Sequence, residues 1–529
     1  MSAVFGPFAL PASVRAVDVE AAFDGSPWTA TTSRAEPTTR TFLETFDGRL
    51  LADGTVLELE SPAGGERRLT WRDRSSGHAR GQAALDDRSP RFAWDLPAGP
   101  LREVLAPILE VRALLPLATV RTRRATVAAR DGEAKLVARV RLDHDVLIET
   151  DGRPCRRDLG PSLQVVPLRG YDREGTRIAS RLADRLGVSA APHDVVGGAF
   201  AALARPPGTY ASKLRVDLDP AMSATDGAVA ILQTLLATTD ANLEGTLDDI
   251  DSEFLHDLRV AVRRTRSGLK AFPGVFPPGQ LTRFAPGFRW VQQASGPARD
   301  LDVQVLEFDA ELGHLAAEAA SQLEPLRRLL DAKRTVAHRH LNRALRSVRY
   351  RRLLDRWRTF LARPTPGPEA GRPVSEVASE RIWRAYRRVV KGGRAITAAS
   401  PAEDLHDLRK RGKELRYLVE FFATLYPKDD VVGLVKELKA VQDNLGAFQD
   451  DQVQAANLEA LGDELGSTGT PADTLMAMGQ LVSHHQRTSA AARTEFAKRF
   501  ATFDGPRNRR RFDDVFRSAD TSTVAGGRR

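Results

Sequence analysis

A histidine followed by a regular series of cations occurs twice in the sequence, at an offset of 150 residues. The copies are His256, Arg259, Arg263 and Arg266, then His406, Arg409, Lys413 and Arg416. Spacings of i, i+3, i+7 and i+10 place each series on one face of an α-helix. Guanidinium and ammonium groups in a row suit phosphate oxygens, and a histidine held among phosphates is pushed toward its protonated form. The pattern therefore predicts two anion-binding helix faces.

Beside each cationic series runs an apolar one, which tells how the helix is oriented. The two apolar series are Leu255, Leu258, Val262, Thr265 and Leu269, and Leu405, Leu408, Gly412, Leu415 and Val419. Each helix is expected to bury this edge and to present its cations next to it. No acid lies between Arg259 and Lys270, so like charges are uncompensated at about 0.2–0.5 kcal/mol per pair. A charged face that is merely solvated remains the alternative interpretation.

The repeat extends beyond one helix. Arg289 aligns with Lys439, and at the same offset Gly296, Asp300 and Val303 align with Gly446, Asp450 and Val453. A repeat of this length predicts two similar helical units packed about a pseudo-twofold axis. The two cationic faces would then face each other or share one groove.

Composition and periodicity predict the domain organisation. A chain of 529 residues is too long for one core, and residues 1–200 carry 28 Lys and Arg against 27 acids, leaving 50 against 42 for the rest. Alternating runs predict an α+β first half with an antiparallel sheet, including a hairpin turn at Asp131-Gly132. A helical period begins near residue 221. We predict a sheet domain over 1–200, a linker over 201–220, helical repeats over about 221–363 and 374–503, and a disordered basic tail over 504–529.

The duplicated motifs resemble a known family. The helix His-x-x-Arg-x-x-x-(Arg/Lys)-x-x-Arg, followed by Gly296-Pro-Ala-Arg-Asp-Leu-Asp302 and by Gly446-Ala-Phe-Gln-Asp450, is similar to the CHAD domain, the conserved histidine α-helical domain, over roughly 221–503. The second copy departs from the first in Gln449 and Gln452, which replace Arg299 and Asp302. Because members of this family are known as polyphosphate-binding modules, the resemblance implies that inorganic polyphosphate is the partner.

The first half resembles the CYTH domain, the triphosphate-tunnel fold often fused to CHAD, through the segment Phe42-Leu-Glu-Thr-Phe-Asp-Gly-Arg-Leu-Leu51. The family's Glu-x-Glu-x-Lys pattern is not found on the first strand, and the late strand 163–167 carries no acid. Triphosphate hydrolysis in this fold needs carboxylates that hold a divalent cation. We therefore predict a degenerate tunnel-like domain without catalytic residues, metal or cofactor. Five strand arginines remain candidate anion contacts: Arg121, Arg123, Arg124, Arg139 and Arg141.

The predicted function is binding of inorganic polyphosphate in a basic groove between the two repeats, with polyphosphate granules as a potential target. The predicted site residues are His256, Arg259, Arg263, Arg266, Lys270, Arg289, Arg339, Arg343, His406, Arg409, Lys410, Lys413, Arg416 and Lys439. Nucleic-acid binding is one alternative, since a basic groove attracts any phosphate backbone. A metal-dependent triphosphatase in the first domain is the other.

Three further expectations follow. The His-Asp dipeptides at His256-Asp257 and His406-Asp407 are similar to the metal-binding pair of metal phosphohydrolases. Because arginines lie next to them and would repel a metal cation, we predict no metal site here. Arg339 and Arg343 lie in segment 331–360, where ten Lys and Arg stand against two acids. A single cysteine, Cys155, and the lack of an apolar run approaching ~20 residues predict a cytoplasmic protein that does not span a membrane.

Overall fold

The computed structural model describes residues 5–11, 13–75, 77–190, 195–203, 208 and 210–517. The chain divides into two compact units, Met1–Ser212 and Lys213–Arg529, here called the sheet unit and the helical unit. Among the described residues, no helix has both the length and the apolar character needed to cross a bilayer.

Ten strands in the described part of the sheet unit form one antiparallel sheet. The strands are β1 (Phe5–Ala9), β2 (Thr29–Thr32), β3 (Glu36–Glu44), β4 (Thr55–Pro62), β5 (Arg67–Asp73), β6 (Ala79–Leu85), β7 (Leu115–Arg130), β8 (Leu136–Thr150), β9 (Arg153–Pro167) and β10 (Ser189–Ala190). Their order is β10-β1-β9-β8-β7-β3-β4-β5-β6, and β2 pairs with β7. The predicted antiparallel α+β class is confirmed, and the hairpin predicted at Asp131-Gly132 joins β7 to β8.

Where the structure describes this unit, five α-helices accompany the sheet: α1 (Ala16–Ala21), α2 (Arg49–Ala52), α3 (Pro100–Leu109), α4 (Asp172–Leu186) and α5 (Val195–Phe200). α4 places Ile178 and Leu182 in one core with Val140 and Leu163 of the long strands. Burial along β7 and β8 follows a period of two over much of their length, as expected where one face of a sheet is more buried than the other, and it aligns alternate side chains into a row.

The helical unit contains twelve α-helices among its described residues. They are α6 (Ala224–Leu247), α7 (Ser252–Ala271), α8 (Ala285–Ala294), α9 (Gly296–Leu312), α10 (Ala317–Ser321), α11 (Glu324–Leu345), α12 (Val348–Ala362), α13 (Val374–Ala395), α14 (Ala402–Phe421), α15 (Lys428–Ser467), α16 (Ala472–Phe503) and α17 (Pro506–Phe516). The helical class predicted for this half is confirmed.

The two histidines lie on α7 and α14, and each of these helices buries the edge that its apolar series predicts. Asp251 caps α7 by accepting hydrogen bonds from the backbone N–H groups of Glu253 and Phe254, at 2.9 and 3.2 Å. Leu258 of α7 and Leu408 of α14 lie fully inside the same core. Burial of these edges leaves the cationic faces beside them at the surface.

The pseudo-twofold relation between the repeats is visible in contacts between equivalent residues. Gln304 donates from Nε2 to Oε1 of Gln454 at 3.1 Å, and Ser223 forms a backbone bridge with Pro373. Both pairs are separated by the repeat offset of 150 residues. Residues that correspond under a twofold rotation can touch only near its axis. The axis therefore passes close to both contacts, and the predicted symmetric arrangement is confirmed.

The disordered tail predicted from residue 504 is wrong for the eleven residues of α17. Phe512 and Phe516 are buried four residues apart on one face of this helix, and the Phe512 ring stacks on Tyr386 with 3.8 Å between centroids. The arginines in this segment conceal a two-residue apolar stripe that packs on α13. The part of the predicted tail over 518–529 lies outside the described residues.

Candidate anion-binding groove

A groove of about 670 Å³ lies where α7 and α8 of the first repeat meet α14 of the second. We call it the central groove. Its walls carry seven cations and one carboxylate: Arg263, Arg266, Lys270, Arg289, Lys410, Arg411 and Lys413, with Glu414. Six of these seven cations are predicted site residues, and both repeats contribute to the set. A groove this rich in one sign of charge concentrates anions.

One hydrogen bond across the repeats fixes the floor of the central groove. Arg263 donates from Nε to the hydroxyl of Tyr417 at 2.6 Å, and the Tyr417 side chain is buried. The next residue, Arg264, is instead paired with the carboxylate of Glu420 at 2.5 Å. The phenol positions Arg263 without neutralising it, so its charge remains available to a ligand.

Six of the seven groove cations have no acidic partner within 4.0 Å among the described residues. No carboxylate oxygen there lies within this distance of the charged groups of Arg263, Arg266, Lys270, Arg289, Arg411 or Lys413. Burial lowers the pKa of Arg266, and the charge of Arg289 lowers it further. Uncompensated cations that repel one another raise the free energy of the empty groove, and an anion would lower it.

Lys413 shows this repulsion most clearly. Burial lowers its pKa to about 8, with further contributions from the positive charges of Arg409 and Arg263. Arg263 and Lys413 are equivalent positions of the repeat, so the pseudo-twofold axis is what brings them close enough to interact. The spacing in the sequence predicts their equivalence, while only the packing places them in one groove.

Arg259 lies next to the groove rather than in its wall. Its Nη1 donates to the backbone carbonyl of Gln292 at 3.0 Å and to Oγ of Ser295 at 2.9 Å. These bonds tie α7 to the junction of α8 and α9. Burial lowers the pKa of Arg259, and the charges of Arg263 and Arg299 add to this effect while Asp300 opposes it.

The two histidines are placed outside the wall of the central groove. His256 lies with Glu253 and Asp257 in the only group of three described residues whose candidate metal-ligand atoms lie within 4.8 Å of one another. Arg299 approaches Glu253 to 3.6 Å, and a guanidinium at this distance opposes a divalent cation. His406 contacts Oε1 of Gln449 through Nδ1 at 2.9 Å. A role for either histidine in ligand binding stays a prediction.

The other predicted site residues differ in their surroundings. Arg409 pairs with Asp450 at 3.0 Å, Arg416 with Glu420 at 3.4 Å, and Lys410 with Asp407 at 3.0 Å. Lys439 on α15, and Arg339 and Arg343 on α11, are exposed side chains that do not line the central groove. The structure thus brings six of the twelve predicted cations together in the groove wall. Arg259, Arg409 and Arg416 lie outside that wall, as do these three exposed residues.

Two groove residues are missing from the predicted set, and the repeat explains why. Arg411 and Tyr417 correspond at the 150-residue offset to Ala261 and Ser267, so a search for matched cations passes over them. Arg411 packs against Gly392 of α13. A Cβ atom added to Gly392 would lie 2.7 Å from Nη1 of Arg411, so the absence of a side chain there makes room for the guanidinium. The signal available in the sequence was the Lys410-Arg411 pair itself.

The sheet unit holds a second charged cluster, and here the carboxylates are paired with arginines. Glu58 is buried and accepts hydrogen bonds from Arg40 and, at 3.1 Å, from Arg72. Arg124 donates to both oxygens of Asp143 at 2.7 and 2.8 Å. Burial opposes ionisation of Glu58, but the charges of Arg40 and Arg72 prevail and hold its pKa below the usual range. Carboxylates engaged in this way do not fit a divalent cation.

The five strand arginines predicted as anion contacts differ in exposure. Arg121, Arg123 and Arg139 are exposed, whereas Arg124 and Arg141 are largely buried in the charged cluster. Burial lowers the pKa of Arg141 to about 10, and the charges of Arg124 and Arg72 contribute. Period-two alternation separates Arg123 from Arg124 on β7, whereas Arg139 and Arg141 lie on the same face of β8 and differ only in exposure.

Comparison with known proteins finds a family model that matches part of the helical unit. Residues 230–459 match the CHAD domain. Two uncharacterized proteins of Mycobacterium tuberculosis are 34% identical over 217 residues, which cover 39% of this chain and 39% of each relative. The match thus spans about two fifths of the length of these relatives.

Solved structures similar to the chain fall into two groups. The CHAD domain of the plant Ricinus communis shares 24% identity over 57% of this chain and 95% of its own, with a TM-score of 0.44. PptA from Streptomyces chartreusis shares 20% sequence identity, and the match covers 53% of this chain and 99% of PptA with a TM-score of 0.41. A Hippeastrum protein described as having a dominant triphosphatase activity shares 14% sequence identity. The match covers 39% of this chain and 98% of that protein, with a TM-score of 0.27.

Proposed function

We propose that this chain, whose residues 230–459 belong to the CHAD domain family, binds inorganic polyphosphate in the central groove. The observation that carries the proposal is the set of seven cations against one carboxylate on walls supplied by both repeats. Six of these cations have no carboxylate oxygen within 4.0 Å among the described residues, which distinguishes the groove from a solvated face with many ion pairs.

The chemistry of the ligand matches that of the groove. Polyphosphate is a flexible polyanion with charge on each phosphoryl unit and no bases, so its receptor needs rows of cations and no base-reading groups. Arg263, Arg266 and Arg289 offer planar forks of donors to phosphate oxygens, while Lys270 and Lys413 offer mobile point charges. A phosphate oxygen beside Lys413 would relieve the repulsion that lowers its pKa.

Nucleic acid is the competing ligand, and the lining of the groove argues against it. Binding of single strands without sequence preference combines a basic groove with aromatic rings on which bases stack. Tyr417 is the aromatic residue of the lining, its side chain is buried, and its hydroxyl is engaged by Arg263. Phosphate contacts would therefore dominate, and polyphosphate offers more charge per unit length than a nucleic acid backbone. Association with polyphosphate granules would follow from the same binding.

The test is the double charge reversal Arg263→Glu with Lys413→Glu, which places carboxylates on both walls. We expect retention on a polyphosphate matrix to be lost at low salt, with at least about a hundredfold weaker binding by calorimetry. Helical circular dichroism should be unchanged, because neither side chain contributes to the core.

A matched control carries the same change in net charge at exposed positions that do not line the central groove, Arg356→Glu with Arg487→Glu. This variant should retain polyphosphate binding within about threefold. Equal losses in both variants would show that only net charge matters and would overturn the site. Displacement of polyphosphate by single-stranded RNA at equal phosphate concentration would overturn the choice of ligand.

A further inference from the structure

A second groove, of about 790 Å³, runs along α13 and α17. We call it the α13–α17 groove. Six cations and two carboxylates line it; the cations on α13 are Arg384, Arg387, Arg388, Lys391 and Arg394. Their spacing of i, i+3, i+4, i+7 and i+10 contains the same helical period as the two histidine series. This third cationic face has no matched copy at the 150-residue offset.

Most of these cations have carboxylate partners, but two do not. Arg384 pairs with Glu380 at 2.6 Å, and Arg394 pairs with Asp504 at 2.7 Å. Arg387 and Lys391 are exposed, lie one turn apart, and have no carboxylate oxygen within 4.0 Å among the residues that the structure describes. Like charges four residues apart on a helix repel, and nothing described around them relieves that repulsion.

The α13–α17 groove adjoins the central groove through a contact between lining residues. Arg388, in its wall, donates to Glu414 at 3.0 Å, and Glu414 is the one carboxylate of the central groove. Arg411, also in the central groove, lies against Gly392, the neighbour of Lys391. The boundary between the two grooves is therefore a neutralised ion pair flanked by cations, and a polyanion meets no net negative charge in crossing it.

The α17 helix completes the wall of this second groove. Arg509 contributes a cation and is held by the backbone carbonyl of Asp504 at 2.7 Å, while Phe512 anchors the helix on Tyr386. This helix lies outside residues 230–459, which match the family. The groove is thus built in part from a segment that the family match does not include.

We infer that the α13–α17 groove is a second phosphate-binding stretch of one path, so that a long polyphosphate occupies both grooves and a short one only the central groove. This inference rests on the proposed function. Two linked sites bind a chain that spans them more tightly than either site alone, because the second contact is intramolecular. Preference for long chains is the expected consequence.

The test compares tripolyphosphate with long-chain polyphosphate on the full chain and on Arg387→Gln with Lys391→Gln. We expect the variant to bind the long chain about tenfold more weakly and tripolyphosphate within about twofold of the unaltered protein. The slope of log affinity against log salt for the long chain should fall by about 1.4, the value for two lost phosphate contacts in a single-stranded polyanion. Arg356→Gln with Arg487→Gln is the matched control and should leave both affinities unchanged.

The outcomes separate the two proposals. If the unaltered protein binds neither polyphosphate, the proposed function fails. If it binds both and the Arg387, Lys391 variant keeps its affinity for the long chain, the second stretch is overturned while the central groove stands. Equal weakening toward both ligands, or a loss matched by the control, also overturns it. A selective loss of single-stranded RNA binding instead would assign the groove to nucleic acid.

Discussion

The arginines of the sheet unit and those of the central groove differ in what lies opposite them. In the sheet, Arg40 and Arg124 each face buried carboxylates, at Glu58 and Asp143. In the groove, Arg263 faces a neutral phenol, and Arg266 faces Arg289. Cations paired with carboxylates inside the protein contribute to the folded structure. Cations grouped without such partners form a surface that attracts anions.

The difference should appear most strongly in stability. Glu58→Gln removes the carboxylate from beneath Arg40 and Arg72. Arg72 then loses its carboxylate partner, and the buried Arg40 keeps only the more distant Asp145 and Asp143, at 3.7 and 3.8 Å. We expect the free energy of unfolding of the sheet unit to fall by about 3–5 kcal/mol, measured by urea denaturation at neutral pH. Polyphosphate binding by a folded helical unit should be unaffected, because Glu58 belongs to the other unit.

A compensating variant sharpens that prediction. Glu58→Gln combined with Arg40→Met removes the charge on both sides and should recover part of the lost stability. No loss on the single substitution, or no recovery in the double one, would contradict a saturated network in the sheet.

In the central groove, removing a charge is expected to raise the stability of the protein instead of lowering it. Lys413→Met removes a cation that repels Arg409 and Arg263, so the midpoint of thermal unfolding at pH 7 should rise by about 2 °C while polyphosphate affinity falls. The pKa of Lys413 is about 8 in the folded protein, below its ordinary value of 10.5. Below pH 8 Lys413 is protonated in both the folded and the unfolded protein, so the folded protein carries the full repulsion between Lys413 and the neighbouring arginines. Above pH 8 the unfolded chain binds more protons, so the stability of the unaltered protein rises with pH.

The stabilisation by Lys413→Met should therefore be complete below pH 8 and should disappear between pH 8 and 10.5. Thermal unfolding followed by circular dichroism across this range measures it. Lys270→Met, at the exposed end of the same groove, is the control and should change stability little. A loss of stability on Lys413→Met at pH 7 would show that Lys413 supports the fold instead of opposing it.

The smallest effect is expected for Arg339→Gln with Arg343→Gln on α11. Both side chains are exposed, and neither lines the central groove. We expect the dissociation constant for polyphosphate to change by no more than about twofold at 0.15 M salt, since screening limits distant charges. A tenfold loss would extend the binding surface onto α11 and restore these two residues to the site.

Much of the architecture could be read from the sequence because its signals are local. The 3.6-residue period of Leu255, Leu258 and Val262 fixes a buried edge of α7, and the two-residue period around Asp131-Gly132 fixes a hairpin. Helix boundaries were less well determined. A helical period does not show where one helix ends and the next begins: Lys428–Ser467 is one helix, α15, whereas the segment 296–362 is divided among α9 to α12.

By itself the sequence determined the duplication, the helix faces that carry cations, and the change from sheet to helix, since each is a periodicity along the chain. Only the tertiary structure decided which cations remain unpaired. Arg263 and Arg264 are adjacent in the chain, yet one meets Tyr417 and the other meets Glu420, both about 150 residues away. Pairing depends on contacts between distant elements at distances of a few ångströms, and the burial that those contacts impose sets the charge each group presents.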